Sequence, residues 1–215
     1  MRGNNGGYPS LGGNLPVGFE QIALVGEKVR LRPIREGDAP DAYRLVDDEA
    51  VLANLAWDGP TDEAEIAGTY RRWVAEMKAG EACHLAIESA DKAGLIGCID
   101  VRFPRHPQQA DIGYWLGVPY WNKGYMTEAV RLVCYLSFRH LDAARAYATV
   151  FVGNNGSRRV LEKNGFSVDG TLRSHVFKRG QFVDSWFLTL LRSEWDASQG
   201  GFSPRYEDIV VAKGE

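Results

Sequence analysis

The sequence predicts one α/β domain, a mixed sheet with a single central crossover helix. Three observations carry this expectation. Short apolar runs of strand-like alternation are interleaved with segments of helical spacing, the pattern of strands and helices that share one sheet. The 215 residues suit one domain with a sizeable core, and no internal repeat divides them. Hydrophobic residues at 45% and charged residues at 25% are globular values, which excludes a disordered chain.

The elements follow in chain order. Residues 1–26 read as a Gly/Asn-rich extension, too poor in apolar side chains at its start to order itself. The domain is expected over 27–196, with a tail over 197–215. Its first strand is KVRLRPI, where Val29, Leu31 and Pro33 alternate with Arg30, Arg32 and Ile34. Asp38 reads as the N-cap of a short helix with Ala42, Leu45 and Val46 on one face. Thr61 reads as the cap of a longer one, with Asp62 and Glu63 suiting its positive end. Ile66, Tyr70, Trp73, Val74 and Met77 fall at helical spacing there, and Gly80 stops it. CHLAIES and LIGCIDVRF flank the turn ADKAG as a hairpin.

ADIGYWLGV is a further strand, followed by the loop PYWNKG and a long helix from about Tyr125 to His140. Ala129, Val130, Leu132, Val133 and Leu136 make that helix apolar over too wide a face for the surface, so it packs on the sheet. RAYATVFV is a strand, NNGSRRVLEKNGF a capped helix, and TLRSHVFK with FVDSWFLTLLR a hairpin around Arg179-Gly180. The expected order is β-α-α-β-β-β-α-β-α-β-β.

Net charge −3 and a pI near 5.9 leave no electrostatic footprint for nucleic acid, while a basic peptide or polyamine remains a compatible substrate. Cys83, Cys98 and Cys134 are odd in number, lack metal-ligand spacing and sit in apolar runs, as buried thiols of a reducing compartment do. No apolar run approaches a membrane span and the start lacks an apolar signal core, so a cytoplasmic location is expected. No metal cluster is expected, and His84 and His175 read as strand residues with partners.

Two strand–loop–helix junctions hold the candidate chemistry. At Trp121-Asn122-Lys123-Gly124-Tyr125-Met126-Thr127, free amides at a helix start suit a phosphate; Gly124 permits close approach and Lys123 adds charge, although a plain turn also explains the glycine. At Asn154-Asn155-Gly156-Ser157-Arg158, capping accounts for the asparagines, and Asn164-Gly165 ends the helix. Capping does not account for two such units one strand apart, an arrangement able to grip one extended phosphorylated ligand.

The segments IGYWLGVPYWNKGYMTEAV and NNGSRRVLEKNGF resemble the two signature regions of the GNAT superfamily of acyl-CoA N-acyltransferases, above all its ribosomal-protein N-terminal acetyltransferase branch. The resemblance runs from Lys28 to about Trp195. It implies a mostly antiparallel sheet whose two central parallel strands splay around coenzyme A, and transfer of acetyl from acetyl-CoA to a peptide N-terminus or small amine. It implies that Leu116, Gly117 and Val118 meet the pantetheine arm and that the amides of 121–127 hold the pyrophosphate. Asn154 and Ser157 would lie by the thiol and Arg158 nearer the nucleotide. A homodimer is common in that branch.

Three positions depart from the pattern. Trp121 replaces a usual Gln or Arg, Met126 a usual Gly or Ala, and Leu161 a frequent Tyr general acid; Ser157 is the residue left for that role. For the base, Asp111 is read either as the end of a water chain or as an edge-strand charge in solvent. Trp57 and Asp58 are read as an acceptor wall with a carboxylate for a cationic amine, or, for the Trp, as packing. Two other readings stay open: a bulkier donor such as succinyl-CoA, and a non-catalytic acyl-CoA-binding module.

Overall fold

The computed structural model describes residues 19–104, 106, 108–198 and 205–208. Nine strands form one sheet: β1 (Ile22–Val25), β2 (Val29–Pro33), β3 (Ala82–Ser89), β4 (Lys92–Arg102), β5 (Gln109–Leu116), β6 (Arg145–Phe151), β7 (Ser167–Lys178), β8 (Gln181–Leu191) and β9 (Arg205–Asp208). Their order is β7-β8-β6-β5-β4-β3-β2-β1-β9, and every neighbouring pair is antiparallel except β5–β6. The helices are α1 (Ala39–Val46), α2 (Glu49–Leu52), α3 (Glu63–Ala79), α4 (Tyr125–Tyr135), α5 (Asn155–Glu162) and α6 (Arg192–Ser198). α4 runs on into a π-helical turn, Leu136–His140, so the expected long helix is present with a change of winding at its end.

β3 is buried along nearly its whole length, so both faces of the sheet are covered. α3 lies on one face, where the Tyr70 hydroxyl meets the Cys98 thiol at 3.3 Å and Trp73 stacks on His84 at 4.5 Å between ring centres. Leu85, Ile99 and Val101 have the opposite parity and are equally buried, and α4 packs against β2 and β4. Among the described residues no helix is long and apolar enough to cross a membrane. Cys83, Cys98 and Cys134 are free and buried, and burial pushes the Cys83 and Cys98 thiols up to about 12.

Four local expectations are corrected. β1 lies inside the segment read as an extension and pairs with β2, so the sheet begins before residue 27; residues 1–18 lie outside the described ones. The expected tail begins with the last two residues of α6 and contains β9, which pairs with β1. α3 is capped by Asp62, whose carboxylate accepts the Glu65 N–H at 2.9 Å, while Thr61 donates to the Glu65 side chain. Asp38 precedes α1 without capping it, because its carboxylate takes the Arg32 guanidinium at 2.6 and 2.8 Å and the Arg35 N–H. Arg32 Nε also donates to Glu88 at 2.8 Å, closing a buried three-residue cluster between β2, β3 and the start of α1. Gly80 ends α3 with φ 75°, as expected.

Candidate functional site

β5 and β6 pair over three residues each, Gln109 with Arg145, Ala110 with Ala146 and Asp111 with Tyr147, and then part. β5 stays bonded to β4 as far as Leu116, and β6 to β8 as far as Phe151, so a gap opens between two strands that are each held on their outer side. The Gly117 N–H donates to the Ile96 carbonyl at 3.0 Å. By the alternation of an antiparallel ladder, Ile112, Tyr114 and Leu116 then turn their backbone groups away from β4, into the gap. Gly97 on β4 is obligatory here, since a Cβ would lie 2.4 Å from the Trp115 carbonyl oxygen.

The loop after β5 leads into α4 through two residues of positive φ, Asn122 (61°) and Gly124 (84°). Gly124 is the N-cap residue and has no capping side chain, so the first-turn amides of α4 are available to an anion. Met126 is 6% exposed: its side chain enters the core and leaves the loop uncrowded. Glu128 would repel an anion, but its carboxylate is engaged by the N–H groups of Glu27, Lys28 and Val29 at 2.7–3.0 Å. Lys28 Nζ donates to the Lys123 carbonyl at 3.2 Å, adding a cation that sequence reading missed, because it comes from 95 residues upstream. Trp121 donates its indole N–H to the Leu116 carbonyl at 2.6 Å. That oxygen, expected to face a pantetheine arm, thus already holds one donor and keeps one lone pair, and the Leu116 N–H faces the gap beside it. These features fit an extended diphosphate ligand lying in the gap.

α5 begins beside the other strand. Asn154 caps it by accepting the Ser157 N–H at 3.1 Å. Ser157 Oγ lies 2.8 Å from the Tyr114 hydroxyl, which also donates to the Ser157 carbonyl at 3.2 Å. Tyr114 thus spans from β5 to α5 across the opening. Burial raises its phenol further above the physiological range, so it holds its proton. Sequence reading quoted this tyrosine without assigning it a role; its parity with Ile112 and Leu116 was the available signal. Arg158 pairs with Glu162 at 2.7 Å and lies over Trp186, with Asn155 and Gly156 exposed before it. Leu161 is fully buried, and Asn164 ties α5 to α4 by donating to the Thr127 carbonyl at 3.1 Å.

On the α3 face, an acid cluster stands where the strands part. Asp111 is half-buried in a central strand, which rules out an edge-strand charge, and lies 3.4 Å from Arg102 Nη2. Arg102 Nε lies 2.8 Å from Asp100 Oδ2, yet off the axis a hydrogen bond needs, and that buried oxygen has no hydrogen-bond partner among the described residues. Burial, with the charges of Asp111 and Glu76 adding to it, outweighs Arg102 and pushes the Asp100 carboxyl up to about 7. Sequence reading missed Asp100. His84 bonds Glu76 through Nε2 at 2.8 Å and His175 bonds Ser185 at 3.1 Å, both as partnered strand residues.

The loop between α2 and α3 carries Trp57, 41% exposed, and Asp58. Lys178 of β7, itself buried, donates to the Trp57 carbonyl at 3.1 Å and to the Asp58 carboxylate at 3.0 Å, and Arg179 lies 3.6 Å from the same carboxylate. Asp58 is therefore already neutralised from within the chain and fastens its loop to the β7–β8 hairpin.

Residues 28–167 match the family model described as an acetyltransferase (GNAT) domain. The protein named probable N-acetyltransferase YjcK of Bacillus subtilis is 32% identical over 177 residues, covering 80% of this chain and 98% of its own. The spermidine N(1)-acetyltransferase of Escherichia coli is 24% identical over 168 residues, 78% of this chain and 88% of its own. Among solved structures, Mycobacterium smegmatis RimJ in complex with CoA-disulfide shares the fold with a TM-score of 0.72 at 23% identity, covering 81% of this chain and 87% of that one.

Proposed function

Because the chain belongs to the GNAT acetyltransferase family, we propose that it moves the acetyl group of acetyl-CoA onto a primary amine, a peptide N-terminus or a small amine, by direct attack in a ternary complex. The observation that carries the reading is the gap between β5 and β6, flanked by the two helix starts at Gly124 and Asn154. Acetyl-CoA, when bound, supplies a carbonyl activated as a thioester.

The chain's own groups divide the remaining work. The amides of Trp121–Thr127, with Lys28 and Lys123 beside them, hold the pyrophosphate. Backbone groups of Leu116, Gly117 and Val118 line the pantetheine path, and N–H groups facing the gap steady negative charge on the carbonyl oxygen. Ser157 Oγ, oriented by Tyr114, gives a proton to the leaving sulfur, the role that Leu161 cannot fill. Asn154 fixes the helix start on which Ser157 stands, and Arg158 lies toward the nucleotide. The acid cluster of Asp100 and Asp111, where the strands part, draws in the amine and supplies the base, with Trp57 as an apolar wall. The spermidine enzyme among the relatives is named for a cationic primary amine, which supports an acceptor of that type. Two copies pair through the β7–β8 hairpin, whose Phe177 and Phe182 are 62% and 65% exposed, a contact that light scattering checks.

Titration calorimetry with acetyl-CoA, coenzyme A and succinyl-CoA, followed by thiol release against a panel of peptides and polyamines, tests the reading. Micromolar binding with acetyl preferred is expected, and Ser157→Ala should lower kcat by about ten- to a thousandfold. Failure of all three ligands to bind sinks the proposal. Binding without thiol release would leave a non-catalytic binding module.

A further inference from the structure

Resting on the acetyltransferase reading, we propose that the Asp100 carboxylate, rather than Asp111, accepts the proton of the incoming ammonium, with Arg102 and Asp111 as positioning residues that set its state. The geometry points there first. Asp100 is the cross-strand partner of Gly113, and Gly113 is the second residue of β5 beyond its last pairing with β6. The carboxylate therefore lies about 7 Å past the fork, level with the open gap and separated from it only by β5. Asp111 is the last paired residue, behind the fork.

Gly113 supplies the second part. A Cβ at that position would lie 3.0 Å from Asp100 Oδ1, 3.2 Å from Oδ2 and 3.0 Å from Arg102 Nη2. The carboxylate thus leans over a stretch of β5 backbone that carries no side chain, and any Cβ there would push it and Arg102 by a few tenths of an ångström. Oδ2 is sealed against Arg102, so Oδ1 is the oxygen left to exchange a proton. The Asp100 side chain keeps 16% of its exposure, enough for that proton to reach solvent afterwards.

The groups around it tune it. Glu76 and Arg72 approach from α3, His84 from β3, Arg102 from β4 and Asp111 from β5. His84 is held between Glu76 and the Trp73 ring, so it roofs the cluster without being free to shuttle protons itself. With the acids Glu76 and Asp111 and the well-exposed guanidinium groups of Arg72 and Arg102 nearby, burial keeps the Asp100 carboxyl near 7, a suitable strength for removing a proton at neutral pH.

The bookkeeping of the step closes. As the C–N bond forms and the C–S bond breaks, the acceptor nitrogen loses two protons. One passes to Asp100 Oδ1 and on to solvent; the other replaces, at Ser157 Oγ, the proton that Ser157 gives to the leaving sulfur, so coenzyme A leaves as the thiol and the serine is restored.

The test uses the full chain and the variants Asp100→Asn, Asp111→Asn and Gly113→Ala. Acetyl-CoA binding by calorimetry should be unchanged in all of them; if the wild type itself does not bind, the acetyltransferase reading fails instead. In the wild type, kcat/KM should rise with pH through about 7. Asp100→Asn should lower kcat by roughly 10²- to 10⁴-fold and abolish that limb. Asp111→Asn should keep the limb but move it to lower pH, since a like charge has gone. Gly113→Ala, which crowds the carboxyl and keeps its charge, should cost about tenfold or more, a second route should Asp100→Asn fail to fold. Carbon-13 NMR of labelled aspartate gives a readout independent of turnover: one carboxyl should titrate near 7 in the wild type and be absent in Asp100→Asn. An intact limb in Asp100→Asn, its loss in Asp111→Asn instead, or a carboxyl titrating in the usual range would each overturn the assignment.

Discussion

Two carboxylate–guanidinium clusters stand on the same face of the sheet and use the same residue types to opposite ends. In the first, Arg32 takes Asp38 with both terminal nitrogens and Glu88 with Nε, and all three side chains are buried. Burial alone would raise the Glu88 carboxyl, but the hydrogen bonds and charge of Arg32 and Arg30 outweigh it and hold it below the usual carboxylate range. In the second, Arg102 is 48% exposed, reaches Asp111 only at 3.4 Å and meets Asp100 out of hydrogen-bond alignment. There burial wins and the carboxyl rises. The difference teaches that charge pairing by itself decides nothing. A guanidinium buried with its fork filled fixes structure, whereas one half in water leaves a carboxyl able to change its proton.

The comparison breaks most sharply at Arg32. Arg32→Ala would strand two buried carboxylates and should destabilise the chain by about 3–5 kcal/mol, read from urea unfolding at pH 7. A loss under about 1 kcal/mol would mean the first cluster is no more than a surface-type pair. The second cluster should give the opposite sign. A carboxyl raised in the folded state contributes stability that is present below its unfolded pKa and is lost as pH rises through about 7. Asp100→Asn should therefore be more stable than wild type at pH 8, with a gain of at most about 4 kcal/mol, and no more stable at pH 4. Glu88 works the other way: its stabilisation is present above its unfolded pKa and fades as acid takes the pH down through its lowered folded value. A destabilised Asp100→Asn at pH 8 would make Asp100 a structural residue like Glu88.

Much of this was legible in the sequence, and the limits have physical causes. The alternation in KVRLRPI, the breadth of the apolar face at Ala129–Leu136 and Gly80 placed strands and helices correctly, because those signals are local. The junctions at Gly124 and Asn154 were legible for the same reason, each being a short stretch with its own cap or turn. Asp38 misled because a cap-type residue before a helix looks the same whether its carboxylate faces the helix or an arginine six residues back. Asp100, Gly113 and Lys28 matter through cross-strand or distant partners, and strand register is not written in any one segment. Ile22–Val25 was missed because its partners are β2 and β9, the latter at the far end of the chain.

The finest test lies in Arg102 itself. Being half exposed, it adds little to folding, and Arg102→Gln should change stability by only about 0–1 kcal/mol, unlike Arg32→Ala. Its effect belongs to the proton. Removing the positive charge of Arg102, which favours the ionised Asp100, while Asp111 and Glu76 stay, lets burial and like charges raise the carboxyl further. The rising limb of kcat/KM should then move to higher pH, by about one pH unit, which corresponds to 1.36 kcal/mol. Asp111→Asn shifts the same limb down, so the two variants bracket the wild type from either side. A limb that stays in place in both would show that the group titrating in the reaction does not face this cluster, and the contrast between the two arginines would reduce to one of burial.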